Sequence, residues 1–188
     1  GNYIGLASDG ASFIAGSSQD MGINMGANWM DDAYVIPRVT IGGPTIGDGN
    51  VISGNSDGWI GGKGIYGVNW TGGGYSDTQT RLYIQGNIIG PQADGVSIMS
   101  TTQEAGIHLY CTKDGTLTGI PTCQIGGATA AERNIISGNL ITGIAIDGDR
   151  FHTRRQVFGH EDEIAGVGVA GPLQLVMDPQ RGRVRRIR

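Results

Sequence analysis

Asn134-Ile135-Ile136-Ser137-Gly138-Asn139 follows Ile125-Gly126-Gly127, and the same pair of motifs occurs in the same order in the first half of the chain. The earlier pair is Ile41-Gly42-Gly43 and Asn50-Val51-Ile52-Ser53-Gly54-Asn55. Each motif joins a short β-branched run to Gly or Asn, a pattern typical of short strands separated by tight turns. This stretch therefore predicts a repeated unit made of β-strands.

A second series of motifs repeats at nearly the same distance, which differs by one position between its first and last pairs. The matched motifs are Gly1-Asn2-Tyr3-Ile4-Gly5 with Gly86-Asn87-Ile88-Ile89-Gly90, Asp9-Gly10 with Asp94-Gly95, and Gly22-Ile23 with Gly106-Ile107. Several anchors in one order at one spacing indicate an internal repeat. Strands this short bury little apolar surface alone, whereas parallel stacking gives them a continuous core.

The composition and charge agree with an ordered all-β chain. The 188 residues include 35 glycines, with only 16% charged and 38% hydrophobic residues. Collagen would place Gly at every third position, and a disordered chain would have more charge and fewer β-branched residues. Residues 1–149 carry a formal charge of −8 and residues 150–188 a charge of +4. This shift predicts a boundary near residue 150.

The motifs Ile-Gly-Gly, Asn-x-Ile-Ser-Gly-Asn, Gly-Ile-x-Ile and Gly-Asn-x-Ile-Gly resemble the right-handed parallel β-helix repeats of the pectate-lyase-like fold. The resemblance covers about residues 1–149, which it implies are part of a longer solenoid. It also implies coils of roughly 20 residues or slightly more, hence three or four coils per repeat and five to seven in all. An antiparallel β-sandwich, which also has many short strands, remains the alternative fold.

Four asparagines occupy similar places in the repeat. Asn side chains at equivalent positions of successive coils can stack their amides into a hydrogen-bonded ladder. The predicted structural ladder residues are Asn2, Asn55, Asn87 and Asn139.

Two cysteines lie at the ends of one loop. Cys111 follows a strand motif, and Cys123 precedes Gln124-Ile125-Gly126-Gly127, so the loop between them spans 112–122. A disulfide closing this loop would suit an oxidising, extracytoplasmic compartment. The alternative is a pair of buried thiols without a bond.

Aromatic residues gather in the segments between the strand motifs. One loop spans Met25 to Arg38, and its equivalent in the second repeat follows Cys111, so both are expected on one flank. The loop 69–77 is expected in another part of the unit. The candidate ligand-binding residues are Trp29, Tyr34, Trp70, Tyr75 and Tyr110. Loop aromatics either contact sugar rings or cover the edge of the coil, and the sequence leaves both roles open.

The carboxylates give only weak candidates for catalysis. Glycoside hydrolysis needs two carboxyl groups at a defined separation, and Asp31-Asp32 resembles only a fragment of the polygalacturonase motif. Asp147-Gly148-Asp149 adds two further acids where the repeat ends. The Gly-His-Gly, Arg-x-Lys and Asp-Pro-His motifs of related enzymes are absent. The weak catalytic candidates are therefore Asp31, Asp32, Asp147 and Asp149.

Asp9 and Asp94 occupy equivalent positions, each directly before Gly. This placement favours a turn residue, with calcium ligation as the weaker alternative. We predict no other cofactor and no structural metal site.

Residues 150–188 do not continue the repeat, and five arginines lie between Arg181 and Arg188. The segment is interpreted as a basic tail or as the start of a truncated second domain. Nucleic-acid binding is not expected, because the repeat region is acidic and no aromatic residue lies among the arginines.

The repeat without a matching catalytic motif favours a structural or adhesive segment of a secreted or cell-surface protein of bacterial type. Its expected partners are a polysaccharide or a surface receptor, contacted through the loops. The alternative is a polysaccharide lyase, hydrolase or epimerase, since one fold supports many activities. No apolar run is long enough to span a membrane. Exposed solenoid ends predict self-association, because open strand edges pair with other chains.

Overall fold

A computed structural model describes residues 1–13, 19–26, 38–56, 62–68, 80–98, 103–111, 122–148, 156–158, 173–178 and 183–187. Every regular element in these ranges is a β-strand, which confirms the all-β prediction. The strands are β1 (Tyr3–Ile4), β2 (Met21–Gly26), β3 (Val39–Gly42), β4 (Val51–Ile52), β5 (Gly62–Val68), β6 (Thr80–Gln85), β7 (Ile88–Ile89), β8 (Gln103–Cys111), β9 (Thr122–Ile125), β10 (Ile135–Ile136), β11 (Thr142–Gly148), β12 (Gln156–Phe158), β13 (Leu173–Asp178) and β14 (Arg183–Ile187).

The chain contributes one strand to each of three sheets in turn and then returns to the first sheet. Sheet 1 has the order β1-β4-β7-β10, sheet 2 contains β2-β5-β8-β11, and sheet 3 contains β3-β6-β9. Within each of these sets, neighbouring strands are three elements apart in the chain and pair in parallel. One pass through the three sheets is called a layer below, so layer 1 is β1–β3, layer 2 is β4–β6, layer 3 is β7–β9 and layer 4 begins with β10 and β11.

The strand register corrects the predicted number of coils in each repeat. Asn2, Asn50, Asn87 and Asn134 directly precede the four strands of sheet 1, and their successive separations along the chain are 48, 37 and 47. The expectation of three or four coils per repeat was therefore wrong. One repeat makes two layers, because the motif at Ile41 in layer 1 recurs at Ile125 in layer 3. The described strands between residues 1 and 148 make three complete layers and the first two strands of a fourth, rather than five to seven coils.

Alternating connection lengths explain why the sequence repeats every second layer. The connections from sheet 1 to sheet 2 span 5–20 in layer 1 and 90–102 in layer 3. They are shorter in layers 2 and 4, where they span 53–61 and 137–141. Layers 1 and 3 therefore share one type of connection, and layers 2 and 4 share another. Equivalent motifs therefore recur only after one connection of each type, which is every second layer.

The core is a column of aliphatic side chains, one set from each layer. Ile65 and Ile107 pair in sheet 2 and are completely buried, as are Ile52 and Ile89 in sheet 1. Facing them from sheet 3 is Ile84, also completely buried. Burial of a side chain of this size contributes about 1.5–3 kcal/mol, so stacking supplies the apolar surface that two-residue strands lack.

Amide side chains form two ladders, not the single one predicted. In the first ladder, the backbone N–H and Nδ2 of Asn2 donate to Oδ1 of Asn50, each at 3.0 Å. Asn50 donates in the same way to Asn87, and Asn87 to Asn134. The predicted residues Asn2 and Asn87 belong to this ladder, and Asn50 and Asn134 fill the layers between and beyond them.

The second ladder contains the other two predicted residues. Nδ2 of Asn55 donates to Oε1 of Gln103 at 2.8 Å, and Nε2 of Gln103 donates to Oδ1 of Asn139 at 2.7 Å. Asn55 and Gln103 are buried. Buried amides stabilise only when they are hydrogen-bonded, and each ladder provides such bonds between layers, whereas Oδ1 of Asn55 has no partner among the described residues.

Glycine is required where the chain turns against the neighbouring layer. Gly42 has a φ of +82°, and a Cβ placed there would lie 1.9 Å from the carbonyl oxygen of Gln85. Gly90 has a φ of +106°, and its Cβ would lie 1.9 Å from the carbonyl oxygen of Ser137. Both positions therefore exclude a side chain for conformational and steric reasons.

The described part of the tail pairs antiparallel with the last parallel strands of sheets 2 and 3. β12 runs antiparallel to β11, β13 runs antiparallel to β9, and β14 pairs antiparallel with β13. The tail strands therefore lie at the layer-4 end of sheets 2 and 3, whereas β10 is the last strand of sheet 1 among the described residues.

Candidate functional site

The strands of sheet 2 end, and the strands of sheet 3 begin, at one corner of the stack, called the loop corner below. Gly26 at the end of β2 pairs with Val68 at the end of β5, and Val68 pairs with Tyr110 of β8. β3, β6 and β9 leave the corner in parallel register as well. Three adjacent layers therefore each insert a segment at this corner, namely 27–37, 69–79 and 112–121.

The segment 69–77 was expected in another part of the repeat unit than the loops that follow Met25 and Cys111, and its flanking strands belong to layer 2, the other layer of the two-layer unit. β5 and β6 occupy the same places in layer 2 that β2 and β3 occupy in layer 1, so all three segments connect sheet 2 to sheet 3.

Most of the predicted site residues belong to the segments inserted at the loop corner. Two others, Tyr110 and Asp147, lie on β8 and β11 and are paired in the strand register, so their backbones are adjacent. Their side chains lie outside the described residues. The predicted residues that fall entirely outside the described ranges are Trp29, Asp31, Asp32, Tyr34, Trp70, Tyr75 and Asp149.

One described surface borders the loop corner on sheet 2. Tyr66 and His108 are partners in adjacent strands, and their ring centroids are 5.3 Å apart with an interplanar angle of 68°. This edge-to-face geometry is favourable for aromatic pairs. Nζ of Lys63 lies 5.7 Å from the centroid of the Tyr66 ring, within the range of a cation–π interaction. All three side chains are half-buried.

A second described surface borders the corner on sheet 3. Tyr83 lies between the buried residues Leu82 and Ile84, so its side chain is on the outer face. The guanidinium carbon of Arg38 lies 5.9 Å from the centroid of the Tyr83 ring. Aromatic and cationic groups are thus adjacent on both sides of the loop corner.

Tyr66 and Tyr83 are not among the predicted site residues, because those predictions concern aromatics between the strand motifs. The available signal was alternation, since each tyrosine directly follows a buried aliphatic residue within a strand. To predict that Tyr66 contacts His108, or that Tyr83 contacts Arg38, one needs the strand register, which the sequence alone does not give.

The carboxylates of Asp9 and Asp94 serve turns, as the favoured interpretation predicted. Oδ1 of Asp9 accepts hydrogen bonds from the N–H groups of Ala11 and Ser12, both at 2.9 Å. Asp94 accepts equivalent bonds from Val96 and Ser97. In both turns the serine hydroxyl donates to Oδ2.

These hydrogen bonds change the acidity of the carboxyl groups. The hydroxyl of Ser12 and the two backbone N–H groups stabilise the ionised form of Asp9 and lower its pKa from 3.8 to about 2. The pKa of Asp94 is lowered by the equivalent partners, chiefly the hydroxyl of Ser97.

A second type of carboxylate turn explains the double glycine of the repeat. Asp48 accepts from the N–H and hydroxyl of Thr45, and Glu132 accepts from the N–H of Thr129 at 2.8 Å. A Cβ at Gly43 would lie 2.7 Å from the Asp48 side chain. The second glycine therefore leaves room for the carboxylate, which fixes the turn entering the next layer.

The two cysteines lie on different sheets at the loop corner. Cys111 ends β8 and Cys123 lies on β9, where it packs against the core. The side chain of Cys111 lies outside the described residues, so the disulfide remains a prediction.

Within the described ranges, no group of three or more His, Cys, Asp or Glu side chains is placed to hold a metal ion. In the same part of the chain, no helix has the length and apolar character needed to cross a membrane.

No family model, curated protein or solved structure matches the chain. A function for the chain is therefore inferred from its own residues and from the order of its strands.

Proposed function

We propose that residues 1–149 form a right-handed parallel β-helix that serves as a structural and adhesive segment of a secreted or cell-surface protein. The return of the chain to the same three sheets in a fixed order supports this architecture. Connections between parallel strands of one sheet are nearly always right-handed. The alternative β-sandwich is disfavoured because the strands of layers 1–4 pair in parallel, not antiparallel.

The proposed ligand is an extended polysaccharide that lies along the loop corner. The observation that carries this proposal is the insertion of one segment per layer at in-register strand ends. Neighbouring strands are about 4.8 Å apart, so equivalent groups recur at a short, regular spacing. A polymer with its own regular repeat can follow such a row, whereas a small ligand needs one enclosed pocket.

The outer surfaces beside the corner suit sugars of neutral or acidic type. The rings of Tyr66 and Tyr83 offer faces for sugar C–H groups, and Lys63 and Arg38 lie close to those rings. Cationic groups donate hydrogen bonds to hydroxyl oxygens and form stronger, charge-assisted bonds with uronate carboxylates. Trp29 and Trp70, carried by the inserted segments, would add further stacking surface.

Binding to immobilised neutral and acidic polysaccharides tests the proposal. The double variant Trp29→Ala/Trp70→Ala should raise the dissociation constant about tenfold or more, since buried aromatic contacts dominate such interfaces. Trp59→Ala is the matched control, because residue 59 belongs to the connection from β4 to β5 and not to a segment inserted at the loop corner. Unchanged binding by the double variant, or equal loss in the control, would contradict the proposal.

The same experiment detects the enzymatic alternative. Asp31 and Asp32 belong to the segment inserted between β2 and β3. Release of unsaturated products or of reducing ends, with or without calcium, and its loss in Asp31→Asn/Asp32→Asn, would replace the adhesive role with that of a polysaccharide lyase, hydrolase or epimerase.

A further inference from the structure

The second amide ladder lacks a donor on the side of layer 1. Nδ2 of Asn55 donates to Gln103, and Gln103 donates to Asn139, so the hydrogen bonds run in one direction from layer 2 to layer 4. Oδ1 of Asn55 lies next to layer 1, since a Cβ at Gly5 would be 2.7 Å from it. This oxygen is buried and has no hydrogen-bond partner among the described residues. A buried acceptor without a donor is destabilising, so a donor from layer 1 is needed here.

Layer 1 contains a glutamine at the repeat position of Gln103. Gln19 precedes Gly22-Ile23 by three positions, as Gln103 precedes Gly106-Ile107, and an acidic residue follows each glutamine. The two isoleucines occupy one column of sheet 2, because both pair with Ile65. Gln19 is therefore the layer-1 residue that corresponds to Gln103.

The backbone places the two glutamines alike relative to the next layer. Gln19 forms an isolated β-bridge with Ser56, and the carbonyl oxygen of Gln103 accepts a hydrogen bond from the N–H of Leu140 at 2.9 Å. Ser56 and Leu140 each directly follow a ladder asparagine. Each glutamine thus starts beside the asparagine of the next layer, and Nε2 of Gln103 reaches that asparagine at 2.7 Å.

The side chain of Gln19 takes a different direction from that of Gln103. Its Nε2 donates to the carbonyl oxygens of Met21 at 2.8 Å and of Gly22 at 3.3 Å. Gln19 is exposed, whereas Gln103 is 2% exposed. The same residue type at the same repeat position is therefore outside the ladder in layer 1 and inside it in layer 3.

We propose that Gln19 is a latch with two positions. In the open position, Nε2 binds the carbonyl groups at the start of β2. In the closed position, Nε2 donates to Oδ1 of Asn55 and fixes the entry to β2 against layer 2. The closed ladder alternates glutamine and asparagine through four layers, in the order Gln19, Asn55, Gln103 and Asn139.

Opposing contributions keep both positions of the latch populated. The open side chain retains its rotamer freedom and its hydrogen bonds to two carbonyl groups, which closing removes. The closed side chain supplies the donor that the buried oxygen of Asn55 needs. The latch lies at the corner between sheets 1 and 2, so it acts separately from carbohydrate binding at the loop corner.

A NOESY spectrum of the ¹⁵N-labelled full chain tests the latch. The side-chain amides of Gln103 and Asn139 are the reference pair, because their contact is present in the structure. We expect a cross-peak between the side-chain amide protons of Gln19 and Asn55. It should be at most about tenfold weaker than that of the reference pair, as for a closed position with a population of about a tenth or more.

Two results of this spectrum would overturn the proposal. One is the absence of the cross-peak between Gln19 and Asn55 in a sample that shows the reference pair. The other is a cross-peak from the Asn55 amide to a bound water in place of Gln19, which would assign the missing donor to the water. The wild-type spectrum requires no substitution, so the test does not depend on the stability of a variant.

Gln19→Met separates the latch from a role limited to the surface. Methionine has a similar length and no N–H donor, so the closed position is lost and the side-chain amide resonance of Asn55 should shift by more than its line width. Gln124→Met is the matched control, because Nε2 of Gln124 also donates to a carbonyl oxygen two residues further on, that of Gly126 at 3.0 Å. An Asn55 resonance that is unchanged in Gln19→Met, or equally shifted in the control, would contradict the latch.

Discussion

Nδ2 of Asn87 donates to Oδ1 of Asn134 at 3.0 Å, although the two residues are 47 positions apart in the chain. Asn87 is completely buried and also donates to the carbonyl oxygens of Ile41 and Gln85. One side chain therefore links sheet 3 to the ladder of sheet 1. This contact shows how the fold depends on polar bonds along the stack as well as on apolar burial.

Replacing Asn87 by Ala should destabilise the protein by about 3 kcal/mol, because it leaves buried carbonyl groups without donors. Urea unfolding followed by circular dichroism measures the change. Asn2→Ala is the matched control, since Asn2 is an exposed member of the same ladder, and its loss should cost less than about 1 kcal/mol. Equal effects of the two substitutions would show that ladder burial does not determine stability.

Gly42→Ala and Gly47→Ala should separate steric exclusion from backbone conformation. Both glycines have positive φ, at +82° and +96°. A Cβ at Gly42 would lie 1.9 Å from the carbonyl oxygen of Gln85, whereas nothing lies within 4 Å of a Cβ at Gly47. Gly47→Ala should therefore cost only about 1 kcal/mol, and Gly42→Ala considerably more. Thermal unfolding of both variants measures the difference, and similar midpoints would be inconsistent with the packing at Gly42.

The aliphatic column predicts a large effect for Ile107→Ala. Ile107 is completely buried between the layers above and below, so its truncation should cost about 2–5 kcal/mol through lost burial and a cavity. Ile46→Ala is the control, because Ile46 is 95% exposed, and its unfolding midpoint in urea should match that of the wild type. A small effect at Ile107 would place this residue outside the core.

The turn at Asp9 predicts a specific dependence of stability on pH. The pKa of Asp9 is lowered from 3.8 to about 2, so its stabilising effect is complete above the higher value and is lost as the pH falls to the lower one. Asp9→Ala should therefore be less stable than the wild type at neutral pH, and the gap should close near pH 2.

A carboxyl ¹³C titration provides the direct readout for this turn. The midpoint of Asp9 should lie near 2 in the wild type and rise toward 3.8 in Ser12→Ala, because the serine hydroxyl is the largest cause of the shift. A wild-type midpoint at the ordinary value would exclude the turn geometry.

The strand motifs were predictable because their signals are local. Ile88-Ile89 is a β-branched pair, and the glycines on either side, Gly86 and Gly90, have positive φ in the structure. The number of layers was not predictable from the motif spacing. The inserted segments at the loop corner lengthen each pass through the three sheets. The asparagines of the first ladder, one in each layer, follow one another at separations of 48, 37 and 47 residues. The sequences of these segments contain no motif that marks a layer.

The ladders show the same limit of sequence comparison. Asn55 and Asn139 are equivalent in the repeat, but they do not touch each other, since Gln103 lies between them. Gln103 is the first residue of β8, whereas Asn55 and Asn139 lie in the connections after β4 and β10. A side chain of different length in a different motif completes the ladder, which only the three-dimensional register reveals.

The stacked register of the three parallel sheets is tested most directly by a NOESY spectrum of the chain with labelled isoleucine methyl groups. The account predicts contacts between Ile65 and Ile107 and between Ile107 and Ile144, which are partners in sheet 2. Ile65 and Ile144 should show none, because one layer separates them. A direct contact between Ile65 and Ile144, or the absence of both predicted contacts, would contradict the layered arrangement.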